Sequence, residues 1–112
     1  MYSKELVKGT LRTIILHLLA SHGRMYGYEM TQQVLRSSQD KFQLTEGSLY
    51  PTLHKMVKEG LLHTESERVG GRIRKYYQLT PAGEAATSSR MTELQSFIQT
   101  LQQILDLKPQ TD

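Results

Sequence analysis

The chain has 112 residues, of which 38% are hydrophobic but only 7% aromatic, so it suits one small domain whose core would be thin without a partner. It contains no cysteine, which excludes disulfides and thiolate metal sites. The net charge of +3 favours an anionic partner.

The beginning of the chain shows no pattern for export or membrane insertion. Lys4 and Lys8 alternate with Glu5, unlike a signal peptide, and the apolar run from Ile14 to Leu19 is far too short to span a membrane. We therefore expect a cytoplasmic protein with no membrane segment. Residues 1–79 hold twelve basic and seven acidic residues, whereas residues 80–112 hold two and four, so an anion would meet the first two thirds of the chain.

The first helix is predicted from about Ser3 to Ser21, because its aliphatic residues recur at helical spacing. Gly9 lies inside it at a cost of about 1 kcal/mol relative to alanine. It either lets another helix approach closely or is tolerated near a frayed end. A helix this apolar must be covered on more than one side, and Leu11 and Ile15 are predicted to lie in an interface with a second copy.

A short second helix is predicted from about Gly27 to Ser37, and a third from its N-cap Thr45 to the C′ residue Gly60. Two short helices joined by a short connection are typical of the helix-turn-helix. The third helix has one apolar face. Its opposite face mixes hydroxyls, an aromatic ring, an imidazole and cations: Ser48, Tyr50, Thr52, His54, Lys55 and Lys58.

This polar face suits a DNA major groove, because hydroxyls and lysines reach phosphates or base edges. Pro51 removes one backbone donor and leaves the Gly47 carbonyl without its helical partner, so a kinked or tightened first turn is expected. From this segment alone, an ordinary amphipathic helix with a solvated face is the alternative.

The residues from Leu62 to Leu79 alternate in polarity around Gly70-Gly71, which predicts a two-stranded hairpin. The hairpin carries four cations near its turn and two adjacent tyrosines: Arg68, Arg72, Arg74, Lys75, Tyr76 and Tyr77. Cations so close together repel one another unless an anion binds, which favours a DNA-binding wing over a merely soluble hairpin. Alternation must place one of the two tyrosines inward.

The last helix is predicted from the N-cap Thr80 to about Leu107, followed by a frayed tail. Its apolar residues repeat at spacings of three and four: Met91, Leu94, Ile98, Leu101 and Leu105. A small domain cannot cover such a seam, so we expect a homodimer. The predicted fold is mainly α with a β-hairpin: a winged helix-turn-helix over residues 1–79 and a dimerisation helix over residues 80–112.

Several runs of residues resemble the PadR-like transcriptional regulators, in the order that this family shows. They are Met25-Tyr26-Gly27-Tyr28-Glu29-Met30, the residues from Thr45 to Leu53, Glu59-Gly60-Leu61-Leu62, and the residues from Gly71 to Gly83. The resemblance covers about residues 5–85. It implies a winged-helix homodimer on palindromic operator DNA, usually a repressor and often released by a small, frequently aromatic effector.

Carried over position by position, the resemblance also implies site residues. The groove-facing set would be Ser48, Tyr50, Pro51, Thr52, His54 and Lys55, and the wing set Arg72, Arg74 and Lys75. Tyr26 would donate to a phosphate, unless its ring packs in the core. The apolar patterns of the first and last helices, and not the resemblance, predict the dimer interface: Leu11, Ile15, Leu94, Ile98, Leu101 and Leu105. The prominent drug-binding members place a tryptophan at that interface, and this chain has none.

Other function classes are disfavoured. The sequence shows no Walker-type loop, metal-ligand cluster or activated nucleophile, so neither an enzyme nor a cofactor is predicted. Glu65 and Glu67 share one strand face, but paired surface carboxylates are usually just solvated. A winged helix that binds protein or RNA is the second alternative, and the basic wing argues against the purely protein version.

Overall fold

The computed structural model of the chain describes residues 2–108. Within this range the chain forms five helices and one three-stranded sheet. The helices are α1 (Lys4–Lys8), α2 (Leu11–His22), α3 (Gly27–Ser37), α4 (Glu46–Lys58) and α5 (Pro81–Ile104); the strands are β1 (Met25–Tyr26), β2 (Leu62–Val69) and β3 (Arg72–Leu79). The predicted fold is confirmed: mainly α, with a winged helix-turn-helix and a long C-terminal helix. The predicted frayed tail lies, apart from Lys108, outside the described residues.

The prediction of one continuous first helix is wrong. The helix is interrupted after α1, where the Thr10 hydroxyl donates a hydrogen bond to the Val7 carbonyl at 3.0 Å. A side chain that bonds to nearby backbone competes with helical hydrogen bonds, so the chain restarts as α2. A Cβ added at Gly9 would meet no atom within 4 Å, so no helix within residues 2–108 approaches this glycine closely.

The core lies between the helices and the inner face of the sheet, and α2 crosses its centre. Leu11 and Ile15 of α2 belong to the same buried cluster as Leu53 and Tyr77. Leu11 and Ile15 were predicted to contact a second copy, and this prediction must be corrected. Leu11 is 4% exposed and Ile15 is 0% exposed, so they have almost no surface left for a partner. An apolar helix was covered by its own chain instead.

Helix α4 begins and ends where the sequence predicts. Thr45 caps its start, because the Thr45 hydroxyl oxygen accepts a hydrogen bond from the Ser48 N–H at 3.3 Å. At its end Gly60 adopts a φ of +80°, which favours glycine. The Leu61 N–H then donates back to the Met56 carbonyl at 3.0 Å, as in a Schellman motif.

The predicted hairpin is present, but the sheet has a third strand. Strands β2 and β3 pair antiparallel across Gly70-Gly71, whose φ angles of +55° and +80° suit a type I′ turn. Strand β1 pairs with the other edge of β3, matching Met25 with Tyr77 and Tyr26 with Tyr76. Tyr77 is buried and Tyr76 lies on the outer face, as alternation requires. Burial raises the pKa of Tyr77 above its ordinary value.

Helix α5 is fixed to the domain at its start. The Thr80 hydroxyl oxygen accepts a hydrogen bond from the Gly83 N–H at 3.1 Å, and the hydroxyl donates to the Gly60 carbonyl at 2.6 Å. Gly83 lies so close to the Leu61 carbonyl that a Cβ would collide with it. This contact joins the first turn of α5 to the chain segment between α4 and β2.

The end of α5 is earlier than predicted. The helix ends at Ile104, because Asp106 adopts a φ of +56° and the Leu107 N–H donates to the Gln102 carbonyl at 2.9 Å. Aspartate tolerates this left-handed conformation better than most residues, so the helix closes without a glycine.

Candidate nucleic-acid interface

The side of α4 that faces away from the core forms what we call the exposed strip. Its members are Gly47, Pro51, His54, Lys55 and Lys58, all exposed. Their spacings of three and four residues place them on one side of the helix. Pro51 lies inside α4 without ending it, since α4 runs from Glu46 to Lys58. The strip has two lysines, one imidazole and no carboxylate, which suits phosphates and base edges.

Ser48 and Thr52 lie half-buried beside the exposed strip. The Thr45 hydroxyl donates to the Ser48 hydroxyl at 3.0 Å, and the Thr52 hydroxyl donates to the Ser48 carbonyl at 2.9 Å. Both hydroxyls are therefore engaged within the helix. The Thr52 proton is committed to its bond with the carbonyl, so Thr52 can offer only lone pairs to an outside donor, whereas the Ser48 hydroxyl accepts from Thr45 and keeps its own proton for an outside acceptor.

Tyr50 was predicted to face the groove, and its ring turns towards α3 instead. It packs against the core, and a Cβ added at Gly27 would lie 2.7 Å from the Tyr50 ring carbon that carries the hydroxyl. Only glycine fits at this point, because the ring occupies the space of any side chain. Tyr50 thus limits how closely α3 and α4 can approach each other.

The wing presents its cations in two different ways. Arg68, Arg72 and Lys75 are exposed near the Gly70-Gly71 turn. Arg74 is half-buried, and its guanidinium carbon lies 4.1 Å from the centre of the Tyr26 ring, in a cation–π contact. Of the predicted wing set, Arg72 and Lys75 therefore extend towards solvent, whereas Arg74 rests on an aromatic ring.

Tyr26, the candidate phosphate donor, is held on the outer face of the sheet. Its ring meets the Tyr76 ring edge-on, with centroids 5.5 Å apart and an interplanar angle of 85°. Its backbone N–H donates to the Glu29 carboxylate at 3.1 Å, which fixes the start of α3. The ring is thus packed in a surface cluster and not in the core. The prediction of a core ring is therefore wrong, and the prediction of a phosphate donor stays a prediction.

Two grooves flank the exposed strip. The first, which we call the wing groove, has a volume of about 330 Å³ and separates α4 from the start of α3 and the wing. It brings together five predicted site residues: Tyr26, Tyr50, His54, Arg74 and Lys75. No acidic side chain lines it. The wing groove therefore combines aromatic and cationic groups, which suit a nucleic-acid backbone and its bases.

The second, which we call the α1 groove, has a volume of about 670 Å³ and lies on the other side of the strip. It brings Ser48, Pro51, Thr52 and Lys55 together with cations from the start of the chain. Near it, Arg12 pairs with Glu59 at the end of α4, and this guanidinium lowers the pKa of the Glu59 carboxyl.

Sequence reasoning missed several residues beside these grooves. Lys4, Lys8 and Arg12 line the α1 groove, and Tyr28 lines the wing groove with its side chain exposed. The two lysines follow the general excess of positive charge in the first part of the chain. Their position beside α4, however, depends on the tertiary fold.

The C-terminal half of α5 carries a second conspicuous surface, which we call the α5 stripe. It consists of large apolar residues that are exposed: Phe97, Ile98, Leu101, Ile104 and Leu105. Leu94, also predicted for the dimer interface, is half-buried. The structure therefore groups four of the six predicted interface residues on α5 and its C-cap Leu105, and separates them from the buried Leu11 and Ile15.

Within residues 2–108, no group of three or more histidine or acidic side chains is arranged to hold a metal ion. In the same part of the chain, no helix combines the length and the apolar character needed to cross a membrane.

A helix-turn-helix with a basic exposed strip on its second helix, followed by a basic hairpin, defines a winged-helix DNA-binding protein. Residues 15–89 match the family of PadR-like transcriptional regulators, and the chain belongs to this family. The resemblance seen in the sequence is thus confirmed. Members of this family are transcriptional regulators, not enzymes, and membership implies that the chain binds DNA.

Known relatives agree with this assignment. The chain is 36% identical over 94 residues to a transcriptional regulator from Mycobacterium tuberculosis, covering 84% of each chain. It is similar to a PadR family regulator from Clostridium difficile, with a TM-score of 0.72, 28% identity and coverage of 87% of this chain and 99% of that one. A Clostridium thermocellum regulator, 24% identical, shares the fold with a TM-score of 0.82 over 92% of this chain and 97% of that chain.

Proposed function

We propose that the protein is a homodimeric repressor that binds an inverted-repeat operator in the cytoplasm. Each copy would place the exposed strip of α4 in a major groove and its wing on the adjacent phosphates. The observation that carries this proposal is the wing groove, because it sets His54 opposite Arg74 and Lys75 with no acidic side chain between them. A phosphate backbone would meet only favourable charge there.

The α5 stripe supports the homodimer. Five large apolar side chains exposed along one helix and its C-cap form a patch of the kind that marks an interaction site or an aggregation liability. A second copy of α5 would cover it by a two-fold contact, in which each stripe serves both copies. The two α4 helices would then need to lie about 34 Å apart to enter successive major grooves on one face of DNA.

An effector that releases the repressor is part of the proposal. Helices α2, α3 and α5 border an open cavity of about 350 Å³, where apolar side chains that include Ile14, Phe42 and Met91 lie among polar ones. Its size and lining suit a small aromatic molecule. Because the cavity touches α5, a bound molecule would alter how α5 sits on the domain, and thus the separation of the two α4 helices.

Operator selection followed by titration tests the proposal that the protein binds a specific DNA sequence. We expect the protein to enrich an inverted repeat from a pool of random duplexes. Lys55→Ala should then cost about 1–3 kcal/mol on the enriched sequence and less on random DNA, if Lys55 reaches a base edge. Arg72→Ala should weaken both equally and lower the salt slope by about one unit.

The same assay separates the alternative function. A chain that binds structured RNA as tightly as duplex DNA, or enriches no sequence, would fit the RNA-binding alternative and not an operator-binding regulator. For the repressor assignment, a reporter gene placed behind the enriched sequence should be silenced when the protein is expressed. Activation of the reporter would contradict it.

A further inference from the structure

Arg24 lies outside both α4 and the wing, in the short connection between α2 and β1. Its guanidinium reaches across the sheet to β2, where it donates to the Glu67 carboxylate at 2.5 Å and to that of Glu65 at 3.5 Å. These two glutamates are the only acidic residues in the hairpin sequence from residue 62 to residue 79. One arginine therefore engages all the negative charge of the wing.

The same guanidinium also lies on an aromatic pair. The Arg24 guanidinium carbon is 4.1 Å from the centre of the Tyr76 ring, and Tyr76 meets Tyr26 edge-on. Arg74 covers the Tyr26 ring from its own side. We call this set the outer-face cluster, and it links all three strands. Its members are Arg24, Tyr26, Glu65, Glu67, Arg74 and Tyr76.

The outer-face cluster bears on DNA binding through charge. The two carboxylates stand one and three residues from Arg68, close to the cationic end of the hairpin that would meet phosphates. Without a partner they would repel DNA and would compete for Arg74, which lies directly opposite Glu67 in the β-ladder. With Arg24 in place they are turned towards the connection before β1 and are partly neutralised.

We propose that Arg24 is a positioning residue for DNA binding: it holds Glu65 and Glu67 away from the phosphates and leaves the wing cations to the DNA, without contacting DNA itself. This inference rests on the proposed DNA-binding function. Arg24 was not among the residues predicted from the sequence, because nothing local indicates that an arginine before β1 pairs with glutamates more than forty residues later.

A mutant cycle tests this role on a fluorescently labelled random-sequence duplex of about 30 base pairs, since the wing acts on phosphates in any sequence. Arg24→Gln should weaken binding about tenfold, a typical effect for directly coupled neighbours. In a Glu65→Gln, Glu67→Gln background the same change should alter affinity less than about twofold, because no carboxylate remains to be restrained. An equal loss in both backgrounds would mean that Arg24 touches phosphate directly and would overturn the proposal.

Two controls keep the outcome interpretable. Arg36→Gln removes one exposed arginine from the last turn of α3, where its side chain donates to Gln33 of the same helix and not to a carboxylate of the wing, and it should change affinity less than about twofold. The Glu65→Gln, Glu67→Gln protein, which retains Arg24, should bind at least as tightly as the wild type. Weaker binding by this double variant would contradict the proposal, whether or not Arg24→Gln folds well.

Hydrogen exchange without DNA distinguishes this inference from the proposed function. In the DNA-free protein, Arg24→Gln should accelerate amide exchange in peptides from β2, because the cross-sheet contacts that hold it are lost. If the wild type bound no duplex DNA, the proposed function would be wrong. Independently of that result, unchanged exchange in β2 of Arg24→Gln would show that Arg24 does not position the wing.

Discussion

Helices α4 and α5 have apolar residues at the same helical spacing but bury them to very different extents. In α4, Leu49, Leu53 and Met56 are each 0% exposed. In α5, Phe97 is 58% exposed and Ile104 is 73% exposed. Helix α4 lies within the domain, whereas the later turns of α5 extend from it, so the molecule is 53 Å long but only 29 Å wide. Spacing thus reports which side of a helix is apolar, and not what covers that side.

This difference separates two sources of stability. The apolar side of α4 is stabilised by the chain itself, so its contribution does not depend on protein concentration. The α5 stripe gains stability only when another surface covers it, and its contribution therefore follows mass action. Changes in α4 should act on folding, and changes in the α5 stripe should act on assembly and on the binding that assembly supports.

The largest effect should come from the core side of α4. Leu53→Ala removes a fully buried side chain and should lower the free energy of unfolding by about 2–5 kcal/mol. Urea denaturation at two protein concentrations measures this loss. Leu107→Ala is the matched control, because Leu107 is exposed and lies beyond α5, and it should cost less than about 0.5 kcal/mol. Similar losses for the two variants would refute the contrast between covered and uncovered apolar residues.

The next effect should come from the α5 stripe. Leu101→Asp would bury a carboxylate in the proposed interface, so the dimer should dissociate and affinity for the operator should fall far more than one lost contact explains. Gln99→Asp introduces the same charge on the opposite, exposed side of α5 and should leave both unchanged. Gel-shift titration compares the two variants. A Leu101→Asp protein that keeps wild-type affinity would show that the stripe does not support DNA binding.

Two glycines extend the contrast between the inner and outer sides of α4. Gly27 of α3 packs against the inner side, and Gly47 of α4 lies on the outer side. Gly27→Ala should cost about 1–3 kcal/mol, because its Cβ would collide with the Tyr50 ring and push α3 from α4. Gly47→Ala should raise stability by about 0.4–1 kcal/mol, since a Cβ there meets nothing within 4 Å and Gly47 is already helical. Thermal melting measures both changes. Equal destabilisation would mean that the outer side is also tightly packed.

The smallest effect concerns the pair that joins α2 to the end of α4. Arg12 lowers the pKa of Glu59, so the pair stabilises the fold above the ordinary carboxyl pKa of 4.5 and loses this contribution as the pH falls through the lower folded-state value. Glu59→Gln should therefore reduce the melting temperature slightly at pH 7, and this difference should shrink as the pH falls below 4.5. The effect is small because solvent screens both side chains. A difference that grew on acidification would contradict this assignment.

The parts of the fold that the sequence predicts are set by local interactions. The caps at Thr45, Gly60 and Thr80 depend on residues a few positions apart, and all three are present. The Gly70-Gly71 turn is equally local. Strand β1 was missed because two residues show no periodicity, and its pairing is imposed by β3 about fifty residues later.

The candidate site was predicted less completely, because side-chain direction depends on distant neighbours. Tyr50 turns inward since Gly27 leaves room for its ring. Arg74 is half-buried because its guanidinium packs on the Tyr26 ring. Ile15 faces the core instead of a partner, although its spacing is the same as that of a surface stripe. In each case the sequence shows which residue types are present, and tertiary packing decides which of them DNA or a second copy can reach.

We propose that a second copy of the chain covers the α5 stripe. Sedimentation velocity of the wild-type protein over a dilution series tests it most directly. We predict one species of twice the 12.8 kDa chain mass at micromolar concentrations, with monomer appearing only on dilution. A wild-type protein that sediments as a monomer at every concentration, and is still folded, would contradict the claim.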